Sequence, residues 1–439
     1  MFLNVALVFA LRVGGTALWL LFTVICARIL TVGDFGQLFF AVNVILAGGA
    51  AAAMGYDVAL LRFGARYWQQ GQHPAFFALL REARLTVLGC GLLVLALFLA
   101  AAGLRFDTPV TGGFAIAVPT VLAILATALM ALNRDALRAA GKLRDALFGQ
   151  SIIRTVVPAV LLSGLALAGA VSVQMALGCY LAGLLAALVW EQLRIRQLPR
   201  GGAAPAAAGR HWVSALSVWP GEASLIVFQR AGGIMIGLTG GLEMAAMFLA
   251  AERVAQLGTF ITDAVRTAVA PPLAQASGLA LQREVSRASL LMLISGCLGG
   301  LLLLSGGWIL LAGFGPAYLD AYPVLCVLLA GQLSWAVLGP TALILNMQGQ
   351  ERLRSVIGVA AAAALVLVLA WAGTALQAAC AVAAISWAMN GALWWGIRKR
   401  TGVTPGVFGL SAASARRTLA EEFSQLRQRL ARRQAETDQ

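Results

Sequence analysis

Charged side chains inside long apolar segments are the residues of this chain whose types and spacing could do chemistry. The first segment, 3–25, carries one charged residue, Arg12. A helical rise of about 1.5 Å per residue places Arg12 roughly 14 Å along the segment, near the middle of a hydrocarbon core of roughly 30 Å. A cation at that depth costs on the order of 2.5–3.5 kcal/mol on insertion scales. We therefore expect Arg12 to face a wet or anionic interior and not lipid.

Three more charged residues occupy similar positions in the second half of the sequence. Arg230 lies near mid-depth of an apolar segment, Glu222 lies two helical turns before it, and Arg253 lies at mid-depth of the next segment. A guanidinium binds phosphate oxygens through two N–H groups and keeps its proton at physiological pH. The predicted substrate-binding residues are therefore Arg12, Arg230, Arg253 and Glu222, lining a cationic cavity that suits a diphosphate. For Glu222 and Arg253, a buried ion pair between the halves is an alternative interpretation.

Other charged residues of the apolar segments have simpler interpretations. Asp263 and Arg266 are three residues apart, so we expect them to pair with each other on one helix. Arg154 follows a cytoplasmic loop closely enough for its side chain to extend to the membrane surface.

Nothing in the sequence indicates catalysis, a metal or a cofactor. The six cysteines lie in apolar segments without metal-type spacing, and the two histidines, His73 and His211, lie in polar loops. The sequence contains no GxxxxGK[ST] phosphate loop, and no acidic loop of glycosyl-transfer character was found. We predict no catalytic residue, no metal and no cofactor: the protein is expected to move a molecule and not to be an enzyme.

The composition is that of a polytopic membrane protein. The chain of 439 residues is 60% hydrophobic and 11% charged, whereas a soluble domain carries about 25% charged residues. The net charge of +14 is interpreted as topogenic, because arginines concentrate in cytoplasmic loops. Nucleic acid is therefore not an expected partner.

The predicted fold is all-α, with about twelve transmembrane helices in two six-helix lobes with pseudo-symmetric halves. Two long charge-free runs are divided, with turns expected at 169–172 and near Gly373 and Thr374. The approximate limits of the predicted spans are 3–26, 38–61, 85–104, 110–132, 152–170, 172–190, 213–238, 242–265, 288–312, 321–345, 355–373 and 376–397.

Charge in the loops predicts the orientation and the domain limits. Most of the 32 lysines and arginines lie in alternate loops and in the tail, so both termini are expected in the cytoplasm. The loop around 198–205 is rich in Pro, Gly and Ala, which is typical of a flexible joint. The predicted domains are an N-terminal lobe (1–195), a linker (196–212), a C-terminal lobe (213–398) and a basic cytoplasmic tail (399–439), which is either an amphipathic helix on the membrane or partly disordered.

The order and spacing of several short motifs resemble the polysaccharide-biosynthesis flippases, the Wzx-type oligosaccharide translocases of the multidrug/oligosaccharidyl-lipid/polysaccharide (MOP) exporter superfamily. The resemblance extends over all predicted spans, to about Arg400. The residues that carry it are 27–30, 34–36, 54–56, 60–63, Arg230, 236–237, 247–253, 270–273, 314–318 and 322–325.

This resemblance implies an alternating-access transporter that moves a lipid-linked oligosaccharide, usually linked through polyprenyl diphosphate, across the bacterial plasma (inner) membrane for surface polysaccharide biosynthesis. Membrane lipids, H⁺ or Na⁺ as coupling ion, and a polysaccharide polymerase complex are the other partners considered. The chain departs from many relatives in having Gln229 where they have an acid before the residue matching Arg230, which puts an ion pair there in doubt.

Two other functions remain open at this point. A cation-coupled multidrug antiporter of the same superfamily would need carboxylates deep in its cavity, and here mid-span arginines outnumber well-placed acids. A non-transporting scaffold of a glycan-assembly complex would use the basic tail as its docking element.

Overall fold

The computed structural model describes residues 2–103, 114–169, 171–201 and 211–410, and every regular element in these ranges is helical. The helices of the first part are α1 (Phe2–Ile29), α2 (Val32–Ala52), α3 (Tyr56–Ala59), α4 (Ala65–Gln69), α5 (His73–Gly103), α6 (Phe114–Ala139), α7 (Leu143–Phe148), α8 (Arg154–Ala168) and α9 (Val173–Arg196). Those of the second part are α10 (His211–Thr239), α11 (Leu242–Leu257), α12 (Thr259–Gln275), α13 (Gly278–Phe314), α14 (Tyr322–Leu338), α15 (Thr341–Met347), α16 (Glu351–Leu369) and α17 (Ala375–Thr401).

The predicted all-α class is confirmed, and within the described ranges most residues of every predicted span are helical. Within the described ranges, 8 helices are long and apolar enough to cross a membrane. Both predicted turns are confirmed: α8 ends before Gly169, whose φ of 142° ends the helix, and α9 begins after Ser172, whose hydroxyl accepts a hydrogen bond from the N–H of Met175. At the second turn, α16 ends at Leu369 and α17 begins at Ala375.

Three spans that were predicted as continuous are interrupted. Span 38–61 breaks where Met54 and Gly55 have positive φ, and span 321–345 breaks at Gly339, with a φ of 81°, just before a proline. Span 242–265 is divided at Gly258, between α11 and α12. These breaks were missed because mean hydropathy over a whole span does not record a change in backbone direction.

Two short π-helical turns lie in the first part of the chain. One, Leu60–Gly64, follows α3, and the other, Gly149–Ile153, lies directly before α8. Each inserts one wide turn into an otherwise α-helical segment, a feature often found at functional sites. The second one ends directly before Arg154, the first residue of α8.

The chain divides into two compact units. The first unit comprises Met1–Arg253, Trp308–Leu325 and Ala362–Ala381, and the second comprises Val254–Gly307, Cys326–Ala361 and Val382–Gln439. The predicted division at 196–212, of which 202–210 lie outside the described residues, stays a prediction, as do the cytoplasmic termini. The predicted tail also lies outside the description from residue 411 onwards.

Helix α10 packs within the first unit because glycines allow close approach. A Cβ atom at Gly233 would lie 2.6 Å from Leu249 Cδ2 and 3.0 Å from Asn43 Nδ2, and one at Gly237 would collide with Phe40. At the start of the same helix, His211 lies 2.9 Å from the Tyr67 hydroxyl. The glycines therefore bring α10 against α2 and α11, which is the contact that positions Arg230.

Each unit has its own apolar core. In the first unit, α5 and α6 bury Phe76, Leu79 and Leu132, and a separate aromatic group contains Trp19, Phe22, Phe39 and Tyr180. In the second unit, Val285, Ile344, Leu393 and Ile397 form the centre.

Candidate anion-binding site

Arg253 is buried among aromatic rings in the first unit. It is 4% exposed, and its guanidinium carbon lies 5.7 Å from the ring centroid of Trp19 and 5.8 Å from that of Phe39. A guanidinium within about 6 Å of an aromatic centroid is attracted by the electron-rich face of the ring, more strongly where water is excluded. The rings thus stabilise a cation at a depth where water does not solvate it.

Arg154 approaches the same indole from helix α8. Its guanidinium carbon lies 5.6 Å from the ring centroid of Trp19. Its Nε atom is buried, and no hydrogen-bond acceptor within the described ranges reaches that atom. The expectation that this side chain extends to the membrane surface is therefore wrong: it packs over a ring from the middle of α1.

Arg230 lies on α10, where the glycine contacts bring that helix against α2. Its Nη1 donates a hydrogen bond of 3.4 Å to Oδ1 of Asn43. Asn43 is fully buried, and its own Nδ2 donates to the carbonyl of Phe39 at 3.0 Å. The amide is therefore held by the backbone with its oxygen directed at the guanidinium.

The phenol of Tyr180 lies among these arginines. Its ring stacks on Phe22, with centroids 6.5 Å apart and an interplanar angle of 18°. Arg154, Arg230 and Arg253 all lie within electrostatic range of its hydroxyl. That hydroxyl is buried and has no hydrogen-bond partner among the residues that the structure describes. We call Arg154, Arg230 and Arg253 the arginine cluster.

Two carboxylates lie near the arginine cluster. Glu252, next to Arg253 in the chain, acts electrostatically on that guanidinium. Glu191 on α9 is fully buried and lies within electrostatic range of Arg134 and Arg154, and neither of its oxygens has a hydrogen-bond partner in the described part of the chain. Glu191 lies one residue beyond the predicted limit of its span, which is why it was not considered from the sequence.

The structure brings together two of the four predicted site residues, Arg230 and Arg253. Glu222 lies two turns before Arg230 on α10, where it is partly buried and within electrostatic range of Asp57. Arg12 lies in α1, but its side chain is outside the described part of the structure. Their predicted roles stay predictions. Arg154 and Tyr180 were missed, although Arg154 precedes a long charge-free run and could have been weighed with the mid-span arginines.

The predicted local pair is confirmed: Arg266 Nη1 lies 3.2 Å from Asp263 Oδ1.

The chemistry of the cluster is suited to an anion. Its guanidinium groups offer several N–H donors in a water-poor environment, where each charge-assisted hydrogen bond is stronger than in water. The Tyr180 hydroxyl adds one donor. Among the residues that the structure describes, no group of three or more His, Cys, Asp or Glu side chains could hold a metal ion.

The helical arrangement is the fold of the transporters of the MOP superfamily, a fold of multi-pass membrane proteins. A multidrug resistance MATE family transporter of that superfamily, in an inward-facing conformation, matches with a TM-score of 0.67 and 14% identity over 88% of this chain and 94% of its own. The lipid II flippase MurJ, in an inward closed conformation, matches with a TM-score of 0.66 and 12% identity over 90% of this chain and 87% of its own. A MOP superfamily transporter from Pyrococcus furiosus matches with a TM-score of 0.62 and 13% identity, over 90% of this chain and 94% of its own.

No protein-family model and no curated protein sequence matches this chain. At identities this low the solved structures establish the fold alone.

Proposed function

We propose that this protein is a flippase of the Wzx type, which moves a lipid-linked oligosaccharide across the bacterial inner membrane by alternating access. The observation that carries this proposal is the arginine cluster, three guanidinium groups in electrostatic range of the buried Tyr180 phenol, two of which contact the Trp19 ring. A diphosphate between a sugar and a prenyl chain is the anion that such a group would hold, since guanidinium pairs with phosphate oxygens bidentately.

The positive charge of the cluster also supports a role in transport, in addition to a role in binding. A diphosphate crossing the hydrocarbon core would leave its hydration shell, at a cost of many kcal/mol for an isolated ion. Guanidinium groups held by aromatic rings and by Asn43 offset part of that cost without themselves returning to water. A surface polysaccharide built from the delivered unit would follow, with H⁺ or Na⁺ as coupling ion.

The solved transporters with this fold include one described as a lipid flippase and one described as a multidrug resistance protein. MurJ is described as a lipid II flippase, and the MATE transporter as a multidrug resistance protein. The Pyrococcus furiosus transporter is described as having a binding pocket of reverse polarity, which suggests a different function for that protein. The polarity of the pocket is thus the property on which the proposed cargo depends.

A multidrug antiporter is the second candidate function, favoured by the likeness to the MATE transporter. Its substrates would be lipophilic cations, which the arginine cluster repels. A cluster of this charge at mid-depth therefore favours the anionic cargo. A scaffold function would need the tail, of which residues 411–439 lie outside the described residues.

Flipping in liposomes tests the proposal. The purified protein is reconstituted with a fluorescent oligosaccharide on polyprenyl diphosphate, and exposure of the sugar to a membrane-impermeant reagent is followed in time. We expect faster exposure than in protein-free liposomes, with and without imposed H⁺ or Na⁺ gradients. The flippase proposal would be wrong if the sugar were exposed only at the protein-free rate under every gradient. If a gradient also drove export of a cationic dye, the antiporter function would take its place.

A further inference from the structure

Four connections between helices meet at one end of the first unit. They are residues 30–31 between α1 and α2, 240–241 between α10 and α11, 315–321 between α13 and α14, and 370–374 between α16 and α17. None of these four stretches contains a lysine or an arginine, which predicts that this end faces the outside of the membrane. We call it the outer end.

Arg28, in the last turn of α1, binds the end of α13. Its Nε donates a hydrogen bond of 2.7 Å to the carbonyl of Gly313, and its Nη2 donates one of 2.8 Å to the carbonyl of Ala312. The last carbonyls of a helix lack N–H partners within the helix and carry the negative end of its dipole, so they suit a guanidinium. Because Arg28 is exposed and its two partners are uncharged, water can replace both hydrogen bonds when the helices separate.

Three aromatic rings join α2 to the same end of α13. The ring of Phe35 in α2 lies 5.4 Å from that of Tyr318 and 6.4 Å from that of Phe314, and the last two rings lie 5.9 Å apart, measured between centroids. The three side chains are buried, with exposed fractions of 0%, 2% and 1%. The rings therefore close the space between α2 and the end of α13 to solvent.

Direct ring contacts also connect the outer end with the arginine cluster. The centroid of Phe35 lies 4.7 Å from that of Phe39, one helical turn further along α2. The guanidinium carbon of Arg253 lies 5.8 Å from the Phe39 centroid. A continuous series of contacts thus runs from an arginine of the proposed substrate site to the closed rings at the outer end.

Two backbone contacts close the outer end further. A Cβ atom at Gly36 of α2 would collide with the carbonyl oxygen of Leu242 at the start of α11, and one at Gly240 would lie 2.8 Å from the carbonyl oxygen of Gly373. Glycine at these two positions lets the backbones approach so closely that neither contact leaves space for a side chain. The outer end is therefore held by contacts between backbones as well as by Arg28 and the rings.

We propose that these contacts form the outer gate of the transporter, closed in this structure. Arg28 separates from α13, and Phe35 from Tyr318, each time cargo is released to the outside. The inference rests on the alternating access of the proposed function and adds the residues that close one side of the path. A link across the gate should therefore stop transport, and removal of the Arg28 guanidinium should favour the open gate.

A reversible cross-link tests whether the gate must open. Arg28→Cys and Gly313→Cys are combined in a protein whose six native cysteines are replaced by alanine, and the pair is joined with a short bis-methanethiosulfonate reagent. A linker about as long as an arginine side chain spans the pair, since Arg28 reaches the Gly313 carbonyl, and a Cβ atom at Gly313 would have no heavy atom within 4 Å. The matched control joins Gly373→Cys to Gln377→Cys, two exposed residues that contact each other at the same end without crossing the gate.

We expect the cross-link across the gate to lower flipping in the liposome assay at least about tenfold, with recovery after reduction, because the cargo can no longer leave on the outer side. The control cross-link should leave the rate within about twofold of its value before cross-linking. Binding of prenyl diphosphate in detergent should be unchanged by either cross-link. If the protein cross-linked at the gate flips as fast as the control, the gate assignment is wrong while the flippase stands.

A distance measurement tests the gate independently of the cargo. Spin labels on Gly33→Cys and Gly313→Cys leave the gate residues in place, and a Cβ atom at either glycine would have no heavy atom within 4 Å. Pulsed EPR in nanodiscs should resolve a closed and an open distance, with the open fraction at least about twofold larger in Arg28→Gln. The control Arg66→Gln, which changes an exposed arginine of α4, should leave the fractions unchanged.

The two experiments separate failure of the gate from failure of the function. A single distance that Arg28→Gln does not alter would overturn the gate, whatever the flipping assay shows. If the wild type neither flips nor binds a diphosphate, the proposed function fails and the distance measurement alone decides whether the gate opens.

Discussion

Two groups of arginines in the first unit have opposite surroundings. In the first group, which we call the Asp135 triad, Arg134 and Arg138 both bind Asp135, with N–O distances of 2.6 and 2.8 Å, and the carboxylate side chain is 2% exposed. In the arginine cluster, the contacts include the rings of Trp19 and Phe39 and the amide of Asn43. The triad pairs two guanidinium groups with one buried carboxylate, whereas the arginine cluster combines three guanidinium groups with ring and amide contacts and has Glu252 and Glu191 within electrostatic range. We propose that the partner, more than the depth in the membrane, separates a structural arginine from one that binds substrate.

The largest effect should come from breaking the triad. Asp135→Ala removes a buried carboxylate and leaves two guanidinium groups facing each other. We expect a loss of about 3 kcal/mol in the free energy of unfolding, near the lower end for a broken buried pair, since the Arg138 side chain is 38% exposed and can reach water. Thermal unfolding in detergent measures it. Unchanged stability would mean that the triad does not support the fold.

The next effect should be on transport, and it separates the two groups directly. Arg253→Gln removes one charge from the cluster, and we expect flipping to fall about a hundredfold, or ~2.7 kcal/mol. The matched control is Arg138→Gln, the same substitution in the triad, which should flip within about twofold of the wild type once corrected for the amount of folded protein. Equal loss in both variants would show that the comparison does not distinguish binding from structure.

A smaller effect is expected at the ring between two arginines. Trp19→Leu keeps an apolar side chain but removes the aromatic face beneath Arg154 and Arg253. A desolvated cation–π contact contributes up to about 2 kcal/mol, so flipping should fall by about tenfold. Trp19→Phe, which restores an aromatic face, should recover a part of the rate. Identical rates in the Leu and Phe variants would argue that the ring only fills space.

The smallest effect should be at the residue that lies between the groups. Glu191 is in electrostatic range of Arg134 from the triad and of Arg154 from the cluster. Since its oxygens have no hydrogen-bond donor among the described residues, Glu191→Gln should change the free energy of unfolding by less than about 1 kcal/mol. Chemical denaturation followed by tryptophan fluorescence provides the value. A loss as large as that of Asp135→Ala would assign Glu191 to the triad.

The fold could be predicted from the sequence because membrane helices are recorded in local composition. Long apolar runs gave the helices, and Gly169 with Ser172 marked a turn that the structure confirms. The breaks at Gly55 and Gly339 could not be predicted in this way, since they lie inside predicted spans and depend on a positive φ that hydropathy does not record.

The site was predicted only in part because its contacts are distant in sequence. Arg230 and Arg253 stood out as lone charges in apolar segments, which is local information. The Arg154 guanidinium contacts a ring 135 residues earlier in the chain, and no local pattern encodes that contact. Glu222 was grouped with Arg230 through helical spacing alone, whereas Asp57 is a neighbour that the structure gives it.

The central claim is that the arginine cluster binds a diphosphate, and equilibrium binding tests it most directly. A fluorescent prenyl diphosphate would be titrated into the detergent-solubilised wild type, Arg253→Gln and Arg138→Gln, with the corresponding prenyl alcohol as the uncharged competitor. The account predicts that Arg253→Gln weakens binding by at least about tenfold, that Arg138→Gln matches the wild type, and that the alcohol competes poorly. Equal affinity in all three proteins, or equal competition by the alcohol, would contradict it.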